Sequence, residues 1–149
     1  MGQGTHADTL QISPIVLDTN CLLMCLPKLS PYRCVWDAFL DGRVTLCVTN
    51  EIVEEYLEIL SQKINYRIAD NVVSTIINRK NVRFISPTYK MHLIKADEDD
   101  NKFVDCAFVA GASCIVSNDA HFKVLSSIDF PKILVLRLEA YAKMIKAAY

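Results

Sequence analysis

Residues 100–119 read DNKFVDCAFVAGASCIVSND: a helix-length apolar stretch closing on Gly111, then a short β-branched run that stops near Asp119. Residues 13–20, SPIVLDTN, repeat the second half of that pattern. Ile15 to Leu17 form a short buried strand ending on Asp18, and TNCLLMCL after it is helical until Pro27 stops it. An acid at the C-terminal end of an apolar strand, twice in one chain, is the feature from which the rest is read.

The remaining segments alternate in the same way. PYRCVWDAFLDG spaces Val35, Trp36, Phe39 and Leu40 as a helix that closes on Gly42, and RVTLCVT is the second strand. Asn50 is the expected N-cap of EIVEEYLEILSQK, whose stripe is Ile52, Val53, Tyr56, Leu57 and Leu60. RIADNVVSTIINRK continues with Ile68, Val72, Ile76 and Ile77, NVRFIS is a third strand, KILVLRL a fifth, and LEAYAKMIKAAY the last helix. Strands alternating with helices give an α/β class: a three-layer α/β/α sandwich around a mostly parallel sheet of about five strands, Rossmann-like. Such sheets bind ligands just beyond the C-terminal ends of their strands. The expected organisation is a loose tail over residues 1–12 and a single domain over 13–149.

Composition agrees with one compact domain. The chain has 149 residues, 52% of them apolar and 22% charged, with only 4 glycines and 5 prolines. Its formal net charge is −1, so any polyanionic partner must be met by a local patch rather than by the overall field. The six cysteines sit inside apolar runs without CxxC pairs, as buried reduced thiols do. No signal peptide and no 18-residue apolar run is present, so the expectation is a soluble cytoplasmic protein with no membrane partner.

Asp18 and Asp119 fall where this architecture places its ligands. On the helix after the second strand, Glu54 and Glu55 both flank the apolar stripe, and helical geometry does not choose between them. Asp100 shares the inward stripe with Phe103, Val104 and Ala107, whereas Asp105 lies about 140° round and faces away. Asp97, Glu98 and Asp99 read as solvated or dipole-matched acids at a helix start. Converging carboxylates repel one another unless cations neutralise them, and an all-oxygen set suits Mg²⁺ or Mn²⁺. The absence of a supporting His or Cys speaks against zinc. His121 reads as a surface or stacking residue.

Taken together, IVLDTN, VTNEIVEEYLEIL, DEDDNKFVDCAFVAGASCIVSNDAHF and ILVLRLEAY resemble the PIN domain family, in its branch of toxin components of toxin–antitoxin systems. The resemblance covers nearly the whole chain from residue 14 onward. It implies a PIN-like fold and a metal-dependent endoribonuclease that leaves a 5′-phosphate and a 3′-hydroxyl. On this resemblance the four acids are Asp18, Glu55, Asp100 and Asp119, serving as catalytic and metal-binding residues, with Asn20, Asp105 and Asn118 in support. Lys102, Lys123, Arg33 and Arg43 are the basic residues that would meet the RNA backbone. A cognate antitoxin and a homodimer are the implied partners. The alternative is a PIN-like module that binds RNA or protein without catalysis. A haloacid dehalogenase reading fails because the second acid it needs is Asn20, and a receiver-domain reading fails because FISPTYK supplies no phosphorylatable Asp.

Overall fold

The computed structural model describes residues 12–86, 92–94, 98–129 and 132–149. Strand β1 (Ile15–Leu17) is followed by α1 (Thr19–Cys25), α2 (Arg33–Leu40), β2 (Leu46–Val48), α3 (Asn50–Lys63) and α4 (Tyr66–Asn78). Strand β3 (Val82–Phe84) comes next, and a 3-10 turn, Glu98–Asp100, opens directly into α5 (Asn101–Ala110). Strand β4 (Cys114–Val116), a 3-10 segment (Ala120–Ser127), β5 (Val135–Leu136) and α6 (Leu138–Ala148) complete the order.

The five strands form one sheet in the order β3-β2-β1-β4-β5, and all four pairings are parallel. Parallel strands need covered faces, and those of β1, β2 and β4 are buried throughout. Ile15, Leu17 and Leu46 meet Val35, Trp36 and Phe39 of α2, which in turn packs on α6. Side chains alternate across a strand, so Val16, 0% exposed, is covered on the opposite face, where α5 lies against β1, β2 and β4 with α3 beside it. These are the three layers. All six cysteines are free and Cys34 alone is more than marginally exposed; burial pushes the Cys21 thiol up to about 12.

The topology also fixes where a ligand can sit. The chain builds outward from β1 through β2 to β3, then crosses to β4 and β5 on the other side, leaving a crevice at the C-terminal ends of β1 and β4. These two strands pair Ile15 with Cys114, Val16 with Ile115 and Leu17 with Val116. That register brings Asp18 and Ser117 side by side.

Several local details differ from the sequence expectation. The N-cap of α3 is Thr49, whose hydroxyl accepts from the Ile52 N–H at 3.1 Å, and Asn50 is already inside the helix. On α4 the buried stripe is Ala69, Val72, Val73 and Ile76, while Ile68 and Ile77 are 39% and 48% exposed. Helix α4 packs mainly on α3, so its contact is a narrow stripe and the bulkier isoleucines at its margins stay outside. The fifth strand keeps only Val135 and Leu136 of KILVLRL. Gly111 does end α5, at φ 64°, a left-handed cap that glycine adopts without a Cβ clash.

Asp105 is the larger departure. Although the helical wheel turns it away from the inward stripe, it is 6% exposed, within a run of α5, Phe103 to Ala107, that is buried on all sides. Asn101, one helical turn earlier on the same face, is buried as well. Its amide donates to the Ile94 carbonyl at 2.7 Å and accepts from the Ile94 N–H at 2.9 Å, which fastens the buried Ile94 to the first turn of the helix. Of the acids read as solvated, Asp97 lies outside the described residues, and Asp99 is 77% exposed but paired with Lys102.

Candidate active site

The strand ends supply two of the acids and the helices the other two. Asp18 follows β1 in extended conformation and is buried, at 7% exposed. Its Oδ2 accepts the Ser117 hydroxyl at 2.8 Å, and the same Ser117 oxygen accepts the Asp119 N–H at 3.0 Å. Ser117 therefore ties the two strand-end aspartates into one unit. Sequence reasoning missed it, although its place between β4 and Asp119 in IVSND was a usable signal. Burial raises the Asp18 carboxyl above the usual aspartate range; Ser117 and the Thr19 N–H oppose this, and the charges on Glu55 and Asp119 reinforce it.

Asp119 then caps the 3-10 segment by accepting the His121 N–H at 2.9 Å. That tight turn swings the imidazole back over the crevice, where Nδ1 lies 3.4 Å from Asp119 Oδ1 and 3.2 Å from Asp100 Oδ2. One donor atom from each of Asp100, Asp119 and His121 falls within 4.8 Å of the others. His121 is thus both part-exposed and a member of the acidic cluster, which corrects its reading as a simple surface residue. The cluster is also no longer an all-oxygen set, so the donor argument against zinc lapses.

Glu55, not Glu54, turns toward the strand ends. Its Oε2 accepts the Thr19 hydroxyl in a short hydrogen bond, and its Oε1 pairs with Lys102 Nζ at 2.7 Å, while Glu54 is exposed. The decision comes from the neighbouring residue. Tyr56 is completely buried and its hydroxyl donates to the Leu17 carbonyl at 2.6 Å, which hangs α3 on the end of β1 and leaves Glu55 beside Thr19.

The basic residues behave differently from expectation. Lys102 is 10% exposed and bridges Glu55 to Asp99 at 2.7 and 2.9 Å, so it neutralises an acid rather than offering a charge to RNA. Burial alone would lower its pKa, but the bonds to Glu55 and Asp99 outweigh it and hold the ammonium above the usual lysine value. Arg33 pairs with Asp37 at 3.0 Å and donates to the Leu26 carbonyl. Arg43 pairs with Asp41, lies 4.4 Å from the Tyr149 ring centroid, and precedes β2, which puts it at the opposite edge of the sheet from the acids. Lys123 stands on the 3-10 segment beside Asp119.

The supporting polar residues divide as well. Asn20 is exposed on the first turn of α1. Asn118 turns to α6, its Oδ1 accepting the Leu138 N–H at 3.0 Å, so its visible work is to anchor the last helix next to the site.

A chain of contacts thus joins every expected acid: Glu55 to Thr19, Asp18 to Ser117 to Asp119, and Asp119 to His121 to Asp100. Ser117→Ala breaks the link at its centre. It removes the donor to Asp18 and the acceptor for Asp119, and outer partners of ligands commonly carry 10–100-fold in metal affinity, so Mn²⁺ should bind on the order of tenfold or more weakly by calorimetry. Unchanged affinity in a folded variant would show that Ser117 does not hold the pair.

The PIN domain family model matches residues 14–121 of the chain. No curated protein matches it in sequence. Among solved structures, it is similar to a chain of VapBC2 from Rickettsia felis, in a crystal structure bound to a DNA fragment from their promoter. That similarity has 14% identity and a TM-score of 0.56, over 83% of this chain and 97% of the other. It is also similar to the PIN domain endonuclease Utp24, with 20% identity and a TM-score of 0.51 over 87% of this chain and 88% of that one.

Proposed function

The chain belongs to the PIN domain family, and from that premise we propose that it is a nuclease that uses Mg²⁺ or Mn²⁺ to hydrolyse RNA phosphodiester bonds. The observation that carries the proposal is the convergence of Asp100, Asp119 and His121 donor atoms within 4.8 Å at the switch point of the sheet, with Asp18 joined to Asp119 through Ser117 and Glu55 bonded to Thr19, the residue after Asp18. Two carboxylates and an imidazole are a donor set that fits a divalent cation, with Mn²⁺ tolerating the nitrogen better than Mg²⁺ does. When bound, such an ion acidifies water and compensates phosphate charge.

The chain's own groups do the placing. Ser117 holds the Asp18 carboxylate and the Asp119 backbone in fixed relation, and the His121 N–H holds the Asp119 carboxylate, which limits reorganisation when a cation arrives. Glu55 stands at the margin of the site, paired with Lys102. The role we assign is that of a toxin neutralised by a cognate antitoxin, acting as a homodimer. Supporting this are the toxin-type motifs in the sequence and a fold shared with VapBC2.

Two measurements test the function. Single-stranded RNA should be cleaved in Mn²⁺, not in EDTA, and leave 5′-phosphate ends. In parallel, Mn²⁺ at a hundred times its Kd should stabilise the fold by about 2.7 kcal/mol, raising Tm by several degrees. An RNA-binding module without catalysis would bind RNA equally in EDTA and leave it intact. A Tm indifferent to Mn²⁺, Mg²⁺ and Zn²⁺ would remove the metal centre altogether.

A further inference from the structure

Beside the acids lies a cavity of about 420 Å³. Ser117 and Asp119 are among its lining residues, so it adjoins the acidic chain. Phe122 and Ile133, 1% and 9% exposed, give it a firm apolar wall, and the Phe122 ring is braced by Phe103 with centroids 6.4 Å apart. Around it stand Lys123, Lys132 and Arg137, all exposed.

That combination is specific. The chain as a whole is at net charge −1, yet three cations gather at this one cavity, next to the acid that would hold a metal. Lys102, Arg33 and Arg43, the other basic residues expected to meet RNA, are each engaged with acids. An anion is therefore drawn here rather than elsewhere along the crevice. A purely anionic ligand would have no use for the apolar wall, and a purely apolar one would strand nothing but would ignore the three charges. A nucleotide has both parts: a phosphate for Arg137 and the lysines, and a base with an apolar face for Phe122 and Ile133. The volume lies within the roughly 300–1,000 Å³ usual for small-ligand sites.

We propose that this cavity seats the nucleotide unit adjoining the scissile phosphate of the RNA substrate. Its phosphate meets Lys123, Lys132 and Arg137, and its base lies on the Phe122–Ile133 wall. The site so defined orients the strand over Asp119. This rests on the nuclease reading for its biological use, but not for the binding itself.

The test uses the full chain in EDTA, titrated with 5′-AMP, adenosine and inorganic phosphate and followed by amide chemical shifts. 5′-AMP should bind with shifts at Phe122, Lys123 and Ile133, and adenosine and phosphate should each bind roughly tenfold more weakly, since each lacks one set of contacts. The exposed double substitution Lys132→Ala with Arg137→Ala should weaken 5′-AMP by roughly tenfold or more and raise the KM for RNA in Mn²⁺. Phosphate binding as tightly as 5′-AMP, or shifts that map elsewhere, would overturn the proposal. So would RNA cleavage with unchanged KM in the double variant, an outcome that leaves the nuclease intact. Should the wild type bind 5′-AMP here but fail to cleave RNA in Mn²⁺, the cavity stands and the catalytic reading falls.

Discussion

Asp18→Asn is expected to cut Mn²⁺-dependent RNA cleavage by roughly a hundred- to a thousandfold, about 3–4 kcal/mol of transition-state stabilisation, while leaving the fold intact. The carboxylate sits at the end of β1, accepts the Ser117 hydroxyl and feels the charges of Glu55 and Asp119, so it is central to the site's electrostatics. The amide is nearly isosteric, and its oxygen can still accept from Ser117. Charge is what is lost.

The same substitution should raise the Tm of the metal-free protein. Burial first, and the neighbouring acids after it, hold the Asp18 carboxyl above its unfolded value. The folded state therefore binds the proton more tightly than the unfolded chain does, and ionisation at neutral pH costs stability that is recovered as pH falls through the raised value. Removing the charge recovers it at any pH. A stability–activity trade of this kind marks a functional site. Thermal denaturation in EDTA and cleavage in Mn²⁺, run on one preparation, decide it: a variant that cleaves normally, or that melts lower without metal, contradicts the assignment.

Tyr56→Ala carries the largest expected effect on stability, about 3–5 kcal/mol for truncating a wholly buried aromatic ring. Against a total of some 5–15 kcal/mol for a domain of this kind, that is a large share. Tyr56→Phe separates the hydroxyl from the ring. It removes only the 2.6 Å bond to the Leu17 carbonyl and should cost about 0.5–1.5 kcal/mol. The functional consequence is local, because that bond sets how α3 meets β1 and so where Glu55 stands relative to Thr19. Urea denaturation of the two variants measures both terms; a Phe variant as stable and as active as wild type would show that the hydroxyl positions nothing.

The fold was readable because its strands are short apolar runs whose alternation with helices admits few arrangements. Ile15 to Leu17 and Cys114 to Val116 fall inside the segments that periodicity marks; Asp18 follows the first directly and Asp119 lies three residues past the second. Errors arose where one helix has two neighbours. A helical wheel knows a single buried face, so it could not anticipate that α5 would be buried all round from Phe103 to Ala107, Asp105 included. On α4 the departure is the opposite: its contact with α3 is narrower than the periodic stripe and leaves Ile68 and Ile77 outside.

In the site, each acid is a local fact of the chain, but what it touches is not. Asp18, Asp100 and Asp119 were identifiable from strand ends, helical phase and family resemblance, because backbone geometry near the residue decides them. His121 reached the cluster through a turn that Asp119 itself caps, Ser117 joined two strands 99 residues apart, and Lys102 was drawn to Glu55 across helices. Composition and periodicity determined the α/β class and the edge of the sheet where charge would gather. Only tertiary packing decided which charges face one another, since electrostatic and hydrogen-bond partners are chosen by distance in space, which sequence spacing specifies only within a turn or a strand.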